Sequence, residues 1–79
     1  MTKKTKDKDY YMSQPYRYLI WQDPDDGYWN IEIPALKGCR SDGQTIAEAL
    51  VMIEDAKDSW IEAAIERGIA IPESDIPVE

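Results

Sequence analysis

The sequence contains no histidine, a single cysteine and no phenylalanine. Without histidine it lacks the commonest general base near neutral pH and the commonest metal ligand. The lone cysteine, Cys39, cannot form an internal disulfide, and with no histidine it cannot be half of a Cys–His nucleophile. It reads as a small buried hydrophobe. Glycine is also scarce: Gly27, Gly38, Gly43 and Gly68 each stand alone at the end or start of an element, so no phosphate-cradling loop is present. No apolar run approaches the about 20 residues that a membrane helix needs. The Lys-rich N-terminus has no apolar segment behind it, so it is not a secretory signal. The cytoplasm is the default compartment on these grounds. Nothing in the composition calls for a cofactor or a metal.

Basic residues are few as well. Nine Lys and Arg stand against sixteen Asp and Glu, for a net charge of −7. Residues 1–14 carry +2, which leaves −9 on the remaining 65. An acidic body lacks the basic footprint of a nucleic-acid binder. It keeps a small protein dispersed, and it attracts a basic partner.

What is present fits one small globular domain of 79 residues with 43% hydrophobic content. A core of that size gains from oligomerisation or a partner. Residues 1–13 are expected to be a flexible tail, with residues 14–79 forming the domain. The first nine residues hold nothing that could bury a core face and are read as disordered. Tyr10, Tyr11 and Met12 are apolar enough to pack on a sheet edge or on another subunit.

Aromatic and β-branched content predicts a first strand over Tyr16–Gln22. It is apolar on both faces, with Tyr16, Tyr18 and Ile20 on one and Leu19 and Trp21 on the other. It is therefore expected to lie inside the sheet. Asp23-Pro24-Asp25-Asp26-Gly27 reads as a hairpin loop. In a second strand, Tyr28–Ile33, the residues Trp29, Ile31 and Ile33 face one way and Tyr28, Asn30 and Glu32 the other. Pro34 ends that strand, since it has no N–H for the ladder. A short third strand is expected over Gly38–Ser41, then an Asp42-Gly43 turn.

Thr45 with Glu48 three residues on forms a capping box. It opens a helix from about Ile46 to Arg67, with Gly68 as its C′ residue. Ile46, Ala49, Leu50, Ile53, Ala56, Trp60, Ala63 and Ala64 form its apolar stripe. Lys57 sits near the centre of that stripe, where its stem can be buried and its amine carried to the edge. A cation held for a phosphate or carboxylate is the functional alternative at that position. Val51, Met52 and Ile65 fall outside the stripe and are candidates for a subunit contact. A short fourth strand, Ile69–Ile71, is stopped by Pro72, and Ile76 and Val78 are candidates to pair or dock. The expected fold is α+β, in the order β-β-β-α-β: a three-stranded antiparallel meander, one long helix and a short fourth strand beside the first. A parallel pairing there would cross over right-handed.

Several pieces of this chain occur together in a known order. Asp26-Gly27-Tyr28, Ile33-Pro34-Ala35-Leu36-Lys37-Gly38-Cys39, Asp42-Gly43-Gln44-Thr45, Glu48-Ala49-Leu50 and Gly68-Ile69-Ala70-Ile71-Pro72 resemble the HicB-like antitoxin family over about residues 16–77. Gln44 stands where the family usually has an acidic residue, and the cap at Thr45 and Glu48 is intact. The resemblance implies a truncated RNase H-like layer. It implies a protein that neutralises HicA-like toxins, which are small, basic, RNA-cleaving and histidine-dependent. Many relatives add a C-terminal DNA-binding segment. This sequence reaches Glu79 just after the core, so specific DNA binding is not expected of it.

Two classes of function remain to be weighed. The first is an antitoxin of a type II toxin–antitoxin pair, an interaction protein with no catalytic residue. Its partner surface is expected at the acidic hairpin and the strand after it: Asp25, Asp26, Tyr28 and Glu32. An orphan homo-oligomeric module of the same fold is the milder variant. The second class is a divergent metal-dependent nuclease, which needs convergent carboxylates. Asp23, Asp25, Asp26, Asp42 and Glu48 are the candidates, and turn formation and capping account for them more simply. A calcium loop is excluded, because the EF-hand spacing with its closing Glu is missing.

Overall fold

The structure, a computed structural model, describes residues 7–74. Five elements follow in order: α1 (Lys8–Met12), β1 (Leu19–Gln22), β2 (Trp29–Glu32), β3 (Arg40–Gly43) and α2 (Ile46–Arg67). The strands form one antiparallel meander with β2 in the centre. The helix α2 lies across β3 and β2, and α1 packs on α2. The α+β meander and its long helix thus match the expectation. The core runs between the sheet and α2, through Ile31, Ile33, Leu36, Ile53 and Ile61, all fully buried.

The start of α2 is fixed locally. Thr45 is extended and its hydroxyl accepts from the Glu48 N–H. The Glu48 carboxylate accepts from the Gln44 N–H, one residue earlier than a reciprocal box would place it. At the other end Gly68 takes a left-handed φ of 69°. Its N–H and that of Ile69 return to the Ile65 and Ala64 carbonyls.

That cap overturns the fourth strand. The Ile69 N–H donates to the Ala64 carbonyl at 2.8 Å, so it is spent on ending the helix and not on a ladder. No strand follows α2 among the described residues. Ile76 and Val78 lie outside those residues. With no fourth strand described, β1 is an edge strand and not an interior one.

The third strand also sits two residues later than expected, at Arg40–Gly43. Gly43 is not a turn residue and has no positive φ. Its role is close approach: a Cβ there would lie 2.5 Å from the Ala49 N and 2.9 Å from the Glu48 backbone carbon. Glycine lets β3 run directly against the first turn of α2. The loop before it does use positive φ, at Gly38 (87°), and tucks Leu36 fully into the core.

The expected N-terminal tail over residues 1–13 contains α1, and residues 1–6 lie outside those described. Asp7 caps this helix by accepting from the Tyr10 N–H at 3.0 Å. A five-residue helix is too short to stand alone. It is held by burial of Tyr11, whose ring meets that of Tyr10 edge-on at 5.0 Å. Lys8 pairs with Asp58 at 2.8 Å and Glu62 at 3.4 Å on α2.

Lys57 completes the joint. Its side chain is 2% exposed, so its amine does not reach the surface as the sequence suggested. It donates to the Met12 carbonyl at 3.0 Å and to the Gln14 carbonyl at 3.5 Å, and lies 5.3 Å from the centre of the Tyr16 ring. The two ends of the described chain meet nearby. The Tyr10 hydroxyl donates to Glu73, the Tyr16 hydroxyl to the Pro72 carbonyl, and the Ser74 hydroxyl to the Pro15 carbonyl.

Candidate functional site

Among the described residues, one face of the sheet is covered by α2 and the other is open. Strand alternation decides which residues stand on each. The register aligns Leu19, Glu32 and Arg40 in one row across the sheet, and Trp21, Asn30 and Asp42 in the next. Ile31 belongs to the opposite face and is fully buried. The open face therefore carries Leu19 and Trp21 on β1, Asn30 and Glu32 on β2, and Arg40 and Asp42 on β3. Leu19 is 51% exposed and Trp21 is 40% exposed. Large apolar residues on a sheet face with polar neighbours mark an interaction surface. Beside Trp21 lies a groove of about 310 Å³, lined by Asn30, Arg40, Ser41 and Asp42.

The hairpin between β1 and β2 supplies an acidic border. Its backbone closes through the Asp23 N–H to the Tyr28 carbonyl at 2.8 Å, and Gly27 turns it with φ 79°. The Asp23 carboxylate accepts from the Asp25 N–H, and the Asp26 carboxylate accepts from the Tyr28 N–H. Both side chains thus help to build the turn. Asp25 and Asp26 are exposed at its tip. The Tyr28 hydroxyl accepts from Gln44 Nε2 at 3.0 Å. Glu32 accepts from Arg40 at 3.2 Å, which places a cation at the end of the acidic border away from the hairpin.

Asp25, Asp26, Tyr28 and Glu32 accordingly fall along one side of the open face, from the hairpin tip to the central strand. Sequence reasoning missed Leu19 and Trp21, the apolar centre of that face. The signal was their alternation at i and i+2, read instead as a second buried face. Val51, Met52 and Ile65 are exposed on α2. They do not form one patch: Val51 and Met52 point about 100° apart, and Ile65 lies about 20 Å further along.

The carboxylates considered for metal chemistry are dispersed. Asp23 and Asp26 brace the hairpin, Asp42 is on β3, and Glu48 caps α2. Among the described residues, no three Asp, Glu, Cys or His side chains converge on one point. No helix among them is long and apolar enough to cross a membrane.

On the covered side, the Tyr18 hydroxyl donates to the Glu54 carboxylate. Burial, and then that bond, hold the Tyr18 phenol well above its ordinary value of 10.0. Burial also pushes the Cys39 thiol up. Both groups hold their protons more tightly folded than unfolded. Their stabilisation is full below the unfolded values and is lost as pH rises past them. Thermal melts should therefore fall steeply above pH about 10, and Tyr18→Phe should flatten that fall. Parallel melting curves for the two proteins across that range would refute the assignment.

Comparison with known proteins bears on this surface. Residues 16–78 match the family described as HicB-like antitoxin of bacterial toxin–antitoxin system. A UPF0150 protein of Thermoplasma acidophilum is 39% identical over 57 residues, covering 72% of this chain and 81% of the relative. A UPF0150 protein of Synechocystis is 34% identical over 67 residues, covering 84% and 85%. No solved structure matches the chain.

Proposed function

Because this chain belongs to the HicB-like antitoxins of bacterial toxin–antitoxin systems, we propose that it binds and neutralises a small, basic, RNA-cleaving HicA-like toxin through its open sheet face. The observation that carries this reading is the uncovered pair Leu19 and Trp21, bordered by Asp25, Asp26, Tyr28 and Glu32. An aromatic anchor inside a charged rim is the usual anatomy of a binding surface. The excess of carboxylates favours a partner rich in Lys and Arg, and speeds its approach.

On this reading the protein acts in the cytoplasm by covering its partner, and not by catalysis. Its meander and helix are the truncated RNase H-like layer that the family implies. The test is capture with the tagged chain from its native cell extract, followed by an RNA-cleavage assay. Recovery of a small basic protein whose cleavage stops on addition of this chain supports the reading. Recovery of no such protein, or cleavage that continues at excess antitoxin, sinks it.

A further inference from the structure

Three side chains stand in one row across the open face: Trp21 on β1, Asn30 on β2 and Asp42 on β3. The ladder sets their spacing. The Asp23 N–H donates to the Tyr28 carbonyl, which makes Trp21 and Asn30 a wide, hydrogen-bonded pair, about 5.5 Å between Cα atoms. The Ile33 N–H donates to the Cys39 carbonyl, which makes Asn30 and Asp42 a narrow pair, about 4.5 Å apart. Trp21 and Asp42 thus flank Asn30 across about 10 Å. All three line the groove of about 310 Å³.

The row combines three different chemistries. Trp21 offers the face of an indole that is 40% exposed. Asn30 offers an amide carbonyl and Asp42 an exposed carboxylate. Among the described residues neither of these two side chains has a hydrogen-bond or ionic partner. A purely apolar occupant would cover both acceptors and leave them unsatisfied. An anion would meet the charge of Asp42. A guanidinium suits all three at once. It stacks flat on the indole, its fork donates in pairs to the carboxylate, and a further N–H reaches the amide carbonyl. A lysine ammonium is compact and strongly hydrated, and it has no flat face to stack.

We propose that this groove is the docking site for one arginine side chain of a basic partner, stacked on Trp21 and held by Asp42 and Asn30. On the antitoxin reading, on which the identity of that partner rests, the arginine is the toxin's.

Arg40 decides whether the site is open. It lines the same groove, and it stands two residues before Asp42 on the same face of β3. Left free, it would pair with Asp42 and fill the place of the incoming arginine. Glu32 draws it the other way, accepting from its guanidinium at 3.2 Å. Glu32 is therefore a positioning residue: it neutralises Arg40 and leaves the Asp42 carboxylate to the partner.

Nuclear magnetic resonance titration of the isotope-labelled 79-residue chain with the peptide acetyl-Gly-Arg-Gly-amide tests the groove without the toxin. The Trp21 indole N–H and the Asn30 side-chain amide should shift and saturate. The lysine counterpart should bind at least about fivefold more weakly. Asp42→Asn should weaken the arginine peptide about tenfold, through loss of the charge-assisted pair. Glu32→Gln should weaken it several-fold by releasing Arg40 onto Asp42, and adding Arg40→Gln should restore it. Equal binding of the two peptides, shifts confined to other surfaces, or indifference to Asp42→Asn would each overturn the site. With the captured toxin, replacing one of its arginines by lysine should weaken the complex about tenfold against the wild type and no further against Asp42→Asn. A toxin complex indifferent to Asp42→Asn overturns the site and leaves the antitoxin reading standing. An arginine peptide held in the groove, with no toxin captured, does the reverse.

Discussion

Replacing Lys57 with alanine is expected to cost about 3–5 kcal/mol of folding stability. Two losses combine. A buried four-carbon stem leaves a cavity between α2 and the N-terminal segment. The Met12 carbonyl loses the ammonium it accepts from, whereas the Gln14 carbonyl keeps the Tyr16 N–H, and an unsatisfied buried acceptor costs about 1–3 kcal/mol. Small domains hold only about 5–15 kcal/mol in total, so the variant should be marginal at room temperature. Lys57→Met separates the terms. It keeps most of the stem, discards the charge, and should cost about 1–2 kcal/mol. Urea unfolding followed by circular dichroism reads both. Equal stability of Lys57→Met and the wild type would show that the amine contributes nothing beyond its stem.

The second large effect concerns binding. On the antitoxin function proposed above, Trp21→Ala should weaken the complex with the toxin about 30- to 1,000-fold, the 2–4 kcal/mol of an aromatic anchor buried on binding. The loss should appear mainly as faster dissociation. Reversing the border charges, Asp25→Lys with Asp26→Lys, should act differently. It should slow association about tenfold and make binding less sensitive to salt. Association and dissociation rates at two salt concentrations distinguish the two. If both variants bind as the wild type does, the toxin sits on another surface.

The sequence announced features governed by local rules. Thr45, Glu48 and Gly68 fixed the ends of α2, because capping is decided within a turn of the helix end. Pro34 and Gly27 marked where strands stop. The alternation through Tyr28, Asn30 and Glu32 told correctly which side chains leave the core, so that part of the candidate surface was legible. What depended on distant packing was not. The five residues of α1 are too few to show a period, and that helix exists because Tyr11, Lys8 and Lys57 dock it on α2. Gly43 looked like a turn glycine, and its reason is a helix backbone 2.5 Å from where a Cβ would be. Ile69 has strand character, but its N–H was already committed to the Ala64 carbonyl. The apolar centre of the open face was misread for a related reason. Leu19 and Trp21 look the same in the sequence whether a strand is buried on both sides or bears a surface for a partner.

The hydrogen bonds that join Tyr10 to Glu73, Tyr16 to Pro72 and Ser74 to Pro15 have a consequence for engineering. They gather both ends of the described chain at one corner. Seven extended residues separate that corner from Asp23, a distance of about 23 Å. A domain fused directly to the ends of the described residues would leave from the same place, far from the acidic hairpin. By the same geometry, a short linker between the ends should allow circular permutation, with new termini opened between Asp25 and Gly27.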